Sequence, residues 1–148
     1  MNSSKNIAKR VDELIDKYSN SPKSVQYLLC DQYPPNKIAY KIINENMEEY
    51  NLSYGELKTQ STLIANGLKK RGIERGDRIA TLMGKSKEYI ITLLAIWRTG
   101  AVHVPLFTAF STPAITFRVN RSNSKIVFCD NKQQSKLKPS DDFAHHSK

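Results

Sequence analysis

The sequence predicts an α/β fold, a Rossmann-like parallel sheet flanked by helices with an antiparallel hairpin beside it. Three observations carry that reading. The stretch Gly72 to Leu106 sets an apolar β-rich run, a long apolar helix and a second short apolar run in close succession, and so compact a strand-helix-strand order gives parallel strands with a right-handed crossover. Further on, Lys125 to Cys129 (KIVFC) offers a third strand for the same sheet. Upstream, Lys37 to Ile43 alternates around Ile38, Tyr40 and Ile42, Asn44 to Glu48 is a polar turn, and Tyr50 to Leu52 returns as a second strand, which is the pattern of a hairpin.

In chain order, residues 4 to 18 place Ile7, Val11, Leu14, Ile15 and Tyr18 on one stripe at helical spacing. Such a stripe is expected to dock on its own domain, a partner or a membrane being the alternatives. Ser21-Pro22 then supplies a cap and a proline for a short helix whose apolar face is Val25, Leu28 and Leu29, ended by Pro34-Pro35. After the hairpin, Ser53 and Glu56 form an S-x-x-E capping box for a helix to about Arg71. Leu57, Ser61, Ile64, Ala65 and Leu68 make its buried stripe, Lys69 to Arg71 suit its C-terminal dipole, and Gly72 closes it.

In the central unit, Arg78 to Met83 is a strand opened by Gly76-Asp77, and Ser86 caps a helix with Glu88 in its first turn. Ile90, Leu93, Leu94 and Trp97 stand at i, i+3, i+4 and i+7 within an almost wholly apolar stretch, so this helix needs cover on most of its circumference. Gly100 stops it. The second strand follows at His103 to Leu106, then a loop from Phe107, and Thr112-Pro113 opens a helix with Ile115 and Val119 facing inward.

The chain has 148 residues, enough for a single core. We divide it into an N-terminal helix (1–20), a globular part (21–130) and a polar tail (131–148) expected to be disordered, because Lys, Gln, Ser, Asp and His leave little there to bury. A net charge of +9 raises affinity for polyanions generally, but the charges are scattered, as on a solvated Lys-rich surface. Two cysteines, Cys30 and Cys129, exclude a disulfide framework or a cysteine metal site. Met1 to Arg10 has no signal-peptide character, and no apolar run approaches the roughly 20 residues of a membrane span. A cytoplasmic protein is the expectation.

Several motifs are decoys. Gly84-Lys85-Ser86 resembles the end of a phosphate-binding loop, but the glycine required five positions before Gly84 is Ile79. Arg75-Gly76-Asp77 is a turn before a strand. His103 lies in an apolar strand with no nucleophile or carboxylate readable beside it. His145 and His146 are at most an adventitious metal pair, and no metal site or catalytic residue is assigned.

LSYGEL, then GDRIA, then AVHVPLFTAF, in this order and spacing, resemble the N-terminal part of the adenylate-forming (AMP-binding) synthetases, above all the acetyl-CoA-synthetase-like acyl-CoA synthetases, from about Val25 to Asp130. The resemblance implies a partial N-terminal subdomain of that fold in an enzyme joining a carboxylate to CoA with ATP and Mg2+, of acetate or short/medium-chain type. It also implies that Phe107, Thr108 and Ala109, matching an F-G-G-F-S loop, lie against CoA, although Thr and Ala stand where the glycines would be. A packed aromatic turn is the other reading of that loop. The family's Ser/Thr/Gly-rich phosphate loop ending in Pro-Lys and its C-terminal lysine have no match in the 148 residues, so this stretch alone is expected to be inactive and to bind no cofactor tightly. The alternative function is a non-enzymatic basic domain binding nucleic acid or another polyanion, favoured if exposed aromatics and basic side chains share one face. Most aromatics instead fall in apolar, periodic positions.

Overall fold

The computed structural model describes residues 2–19, 23–44 and 46–137. Ser21-Pro22, His145 and His146 lie outside the described residues.

Helix α1 (Asn2–Ser19) leads to a π-helical turn, Tyr27–Asp31. Strands β1 (Ile38–Ile43) and β2 (Glu49–Ser53) pair antiparallel, with Tyr40 opposite Leu52 and Ile42 opposite Tyr50. The Asn44 carboxamide turns the hairpin by accepting the amides of Asn46 and Glu48 at 3.0 and 2.9 Å, the local bonding for which Asn is selected in turns. Ser53 caps α2 (Tyr54–Lys70), its Oγ accepting the Glu56 amide at 3.1 Å. The Glu56 carboxylate is taken up by the Tyr50 hydroxyl, by Gln60 and by Lys87, so that cap also joins three elements.

Strands β3 (Arg78–Leu82), β4 (Val102–Pro105) and β5 (Ser124–Cys129) form a wholly parallel sheet in the order β4-β3-β5. Ile79 faces His103 on one side and Ile126 on the other. Between β3 and β4 runs α3 (Lys87–Thr99), capped by Ser86 and closed by Gly100 at φ 77°. Between β4 and β5 runs α4 (Thr112–Ser122), ended by Asn123 at φ 50°. Its N-cap is Ser111, one residue before the expected Thr112, which places Pro113 at the second helical position. Proline is tolerated throughout this first turn because amides there have no intrahelical partner.

Alternate strand residues feed two cores. Ile79, Ile126 and Phe128 pack with Leu68, Ile73 and Ile96 on the α2/α3 face, while Ala80, Leu82, Val127 and Cys129 pack with Leu106 and Ile115 on the α4 face. The helices therefore cover opposite faces, as in doubly wound sheets. A third core, Cys30, Leu52, Leu57, Ile91 and Leu94, joins the hairpin and the π turn to the outer side of α3. With the sheet on one side and this core on the other, α3 buries Ile91, Thr92, Leu94, Ala95, Ile96 and Thr99, whereas of the four residues expected at i, i+3, i+4 and i+7 only Leu94 is fully buried and Ile90, Leu93 and Trp97 are half-buried. Arg98 cross-links the outer side, donating to both Asp31 oxygens (2.9 and 2.5 Å) and to Ser61 Oγ (2.8 Å).

Four expectations change. The α1 stripe does not dock: Ile7, Val11, Leu14, Ile15 and Tyr18 are all exposed, since amphipathic spacing specifies an apolar face without specifying a partner. In the segment before the hairpin, Val25 and Leu29 are exposed and Cys30 is the buried residue, because π geometry advances each residue by less than the 100° of an α-helix. The segment from Asn131 is not wholly a tail: Asn131–Leu137 wind into a 3-10 turn and Leu137 packs on the α4-side core. Finally, Tyr18, Tyr27, Tyr40, Tyr50, Phe107 and Phe117 are exposed, so apolar neighbours in sequence did not guarantee burial of aromatics. Three of these tyrosine rings sit under lysines, Tyr18 under its neighbour Lys17, Tyr27 under Lys23 and Tyr50 under Lys87 of α3.

Candidate functional site

A cleft of about 470 Å3 opens at the carboxyl ends of β3 and β4, where open α/β sheets receive ligands because the connecting loops diverge there. Its walls are built by three segments. The turn Met83-Gly84-Lys85 leaves β3, Tyr89 stands in the first turns of α3, and Pro105 to Phe110 leaves β4. The Leu106 amide bonds Thr81 O at 2.9 Å and fastens the start of the β4 loop to the central strand. The Phe110 amide returns to Phe107 O at 3.0 Å, and the two rings meet edge to face with centroids 5.8 Å apart. The Arg118 guanidinium lies 4.1 Å from the Phe110 ring centroid, a stacked geometry that orders the ring.

Of the three residues named for CoA, Phe107 and Thr108 line the cleft and Ala109 does not. Phe107 presents its ring to solvent at 64 % exposure. The loop is a packed aromatic turn with one ring left bare. Lys85, set aside in the sequence with the Gly84-Lys85-Ser86 turn, lies at the cleft, and Tyr89, Arg118 and Lys136, which sequence reasoning missed, complete the surroundings. They come from three other elements at large separations, and Lys136 lay in a segment read as tail.

The Gly84-Lys85-Ser86 turn is a strand-to-helix turn. Asp130 Oδ2 accepts the Gly84 amide at 2.6 Å and Ser86 Oγ accepts the Tyr89 amide at 3.1 Å, so two of the donors a phosphate would need are already engaged. His103 bonds Thr81 Oγ1 through Nε2 at 2.7 Å and meets Tyr89 edge-on at 6.2 Å; burial lowers its pKa and keeps it neutral. Burial pushes the Cys30 thiol up, against any role as a thiolate nucleophile. Among the described residues, no group of three or more His, Cys, Asp or Glu is placed to hold a metal, and no helix is long and apolar enough to cross a membrane. The arrangement can hold a long ligand with apolar and anionic parts against aromatic rings and cations. Its lining offers no nucleophile-base pair, since the one hydroxyl–imidazole contact nearby, Thr81 with His103, does not line the cleft and Thr81 is buried.

Comparison with known proteins gives one consistent answer. A family model described as AMP-binding enzyme matches residues 29–147. The acetyl-coenzyme A synthetase of Chlorobaculum tepidum is 47% identical over 94 residues, covering 64% of this chain and 14% of that protein. The acetyl-coenzyme A synthetase 1 of Debaryomyces hansenii is 36% identical over 115 residues, 74% of this chain and 17% of that protein. The human protein described as acetyl-coenzyme A synthetase 2-like, mitochondrial, is 37% identical over 83 residues, 56% of this chain and 12% of that protein. The crystal structure of an acyl-CoA synthetase from Brucella canis superposes with a TM-score of 0.81 at 30% identity, covering 90% of this chain and 25% of that one. The chain therefore spans about a sixth or less of these curated relatives. None of them supports the polyanion-binding alternative.

Proposed function

The chain belongs to the AMP-binding enzyme family, and on that premise we propose that it forms the N-terminal scaffold and the CoA-side wall of an AMP-forming acyl-CoA synthetase acting on acetate or a short- to medium-chain carboxylate. The overall reaction is carboxylate, ATP and CoA to acyl-CoA, AMP and pyrophosphate. The observation that carries this reading is the cleft at the strand carboxyl ends, with Phe107, Phe110 and Tyr89 about it and Lys85 at its rim.

These residues fit the CoA side of such a reaction. Aromatic walls take up an adenine face or the pantetheine arm and exclude water from it, while Lys85 and Arg118 attract phosphates. CoA supplies the thiol that accepts the acyl group. The same residues do not fit the triphosphate of ATP, because the one turn of suitable sequence is closed by Asp130, nor a Mg2+ ion, so no step of adenylate formation is assigned to them.

The test is a CoA titration of the 148-residue chain at low and moderate salt, alongside carboxylate-dependent ATP/pyrophosphate exchange. We expect weak CoA binding that fades as salt screens the phosphates, a further loss of about 5- to 10-fold in Phe107→Ala as ring contact disappears, and no exchange. CoA binding indifferent to Phe107→Ala would move the ligand elsewhere. Clear exchange would show that adenylating groups lie within these residues after all.

A further inference from the structure

We propose that Lys136 is a positioning residue of the cleft, a latch that holds the Phe107–Phe110 turn in shape from the 3-10 turn after β5. The bond is direct: Lys136 Nζ donates to Thr108 O at 2.5 Å across 28 residues of sequence, in a half-buried setting. A charged donor on a carbonyl makes one of the stronger hydrogen bonds available to a protein.

Both ends of the latch suit the task. On its own side, Lys136 stands on Asn131–Leu137, which is seated by Leu137 in the α4-side core and by the Gln133 amide on Asp130 O at 2.9 Å. On the loop side little else fixes the middle. Leu106 is tied to Thr81 and Ser111 opens α4, but Phe107 and Ala109 are exposed. The one bond inside the turn, Phe110 N to Phe107 O, closes it upon itself without joining it to anything. Among the described residues, the Lys136 bond is the hydrogen bond that reaches the turn's middle from another element. Without it, the turn keeps the cation stack of Arg118 on Phe110, while Phe107 and Thr108, which form the cleft's outer wall, lose their outside anchor. The last described segment of the chain thereby becomes part of the site.

The consequence for ligand binding rests on the CoA reading above; the latch itself does not. The experiment measures backbone amide exchange by NMR, with CoA titrations, in the wild type, Lys136→Met, Lys136→Arg and the exposed control Lys132→Met. Lys136→Met should speed exchange of the Phe110 amide by about 5- to 10-fold, the effect of losing one net hydrogen bond on a local opening. Amides of β3, β4 and β5 should be unchanged, Lys136→Arg should restore slow exchange, and Lys132→Met should do nothing. CoA affinity should fall in Lys136→Met and recover in Lys136→Arg. Unchanged loop exchange in Lys136→Met overturns the proposal even if CoA affinity falls, because the lysine would then be touching phosphate directly. Faster exchange throughout the sheet also overturns it, since Lys136 would be holding the domain and not the turn. Faster loop exchange in a protein whose wild type shows no CoA binding supports the latch and overturns the CoA reading instead.

Discussion

Helices α1 and α3 carry the same kind of signal, apolar residues at helical spacing, and meet opposite fates. Every described stripe residue of α1 is exposed, Ile7 at 62 % and Ile15 at 53 %. Helix α3 lies between two cores, with Ile96 and Ala95 at 0 %. The difference teaches that periodicity tells which face is apolar but not what covers it. Cover comes from elements that arrive from elsewhere in the chain, and α3 has the sheet, α2, the hairpin and the π turn while α1 leaves its stripe bare.

The largest effect that would sharpen this contrast is in packing. Ile96→Ala should destabilise the domain by about 2–5 kcal/mol, through lost transfer energy and the cavity left in the sheet-side core. The matching change Ile15→Ala should stay within about 0.5 kcal/mol, as for surface sites generally. Urea denaturation followed by tryptophan fluorescence, with Trp97 as reporter, measures both. Equal losses would show that the α1 stripe is covered in solution.

A smaller effect separates the two helices by their polar ties. Arg98→Met leaves Asp31 without the partner that holds its carboxyl below the usual range. The loss should be about 2–3 kcal/mol, somewhat under that for fully buried pairs because both side chains keep some solvent contact. Arg98→Met with Asp31→Asn should regain part of it, and a double variant no better than the single would show that the guanidinium acts through Ser61 instead.

The smallest is the response to acid. His103 has its pKa lowered in the folded chain, so the unfolded chain takes up the proton first. Its contribution is intact above the unfolded value of about 6.5 and is lost as pH falls below it. Asp31, also lowered, contributes above about 3.9 and loses that contribution as pH falls through its folded value. Stability should therefore decline in two stages on acidification, and His103→Gln should abolish the upper one. A decline below pH 6.5 that survives His103→Gln would assign it to other groups.

Local chemistry settled much of this protein from sequence alone. Ser53 and Ser86 as caps, Gly100 as a left-handed stop, the stripe Leu57, Ser61, Ile64, Ala65 and Leu68, of which Ile64 stays half-buried, and the apolar runs of the three strands all depend on bonds or spacings within a few residues, and those are written directly in the chain. Tertiary structure alone decided the rest. It chose Arg98 to join Asp31 and Ser61, which lie 67 and 37 residues away, left α1 uncovered, and drew Lys136 out of an apparent tail to meet Thr108. It also gathered Tyr89, Phe107 and Phe110 around one cleft. Such choices turn on the path of the chain between distant segments, since a side chain's partner depends on which surface arrives beside it, and no local pattern encodes that arrival.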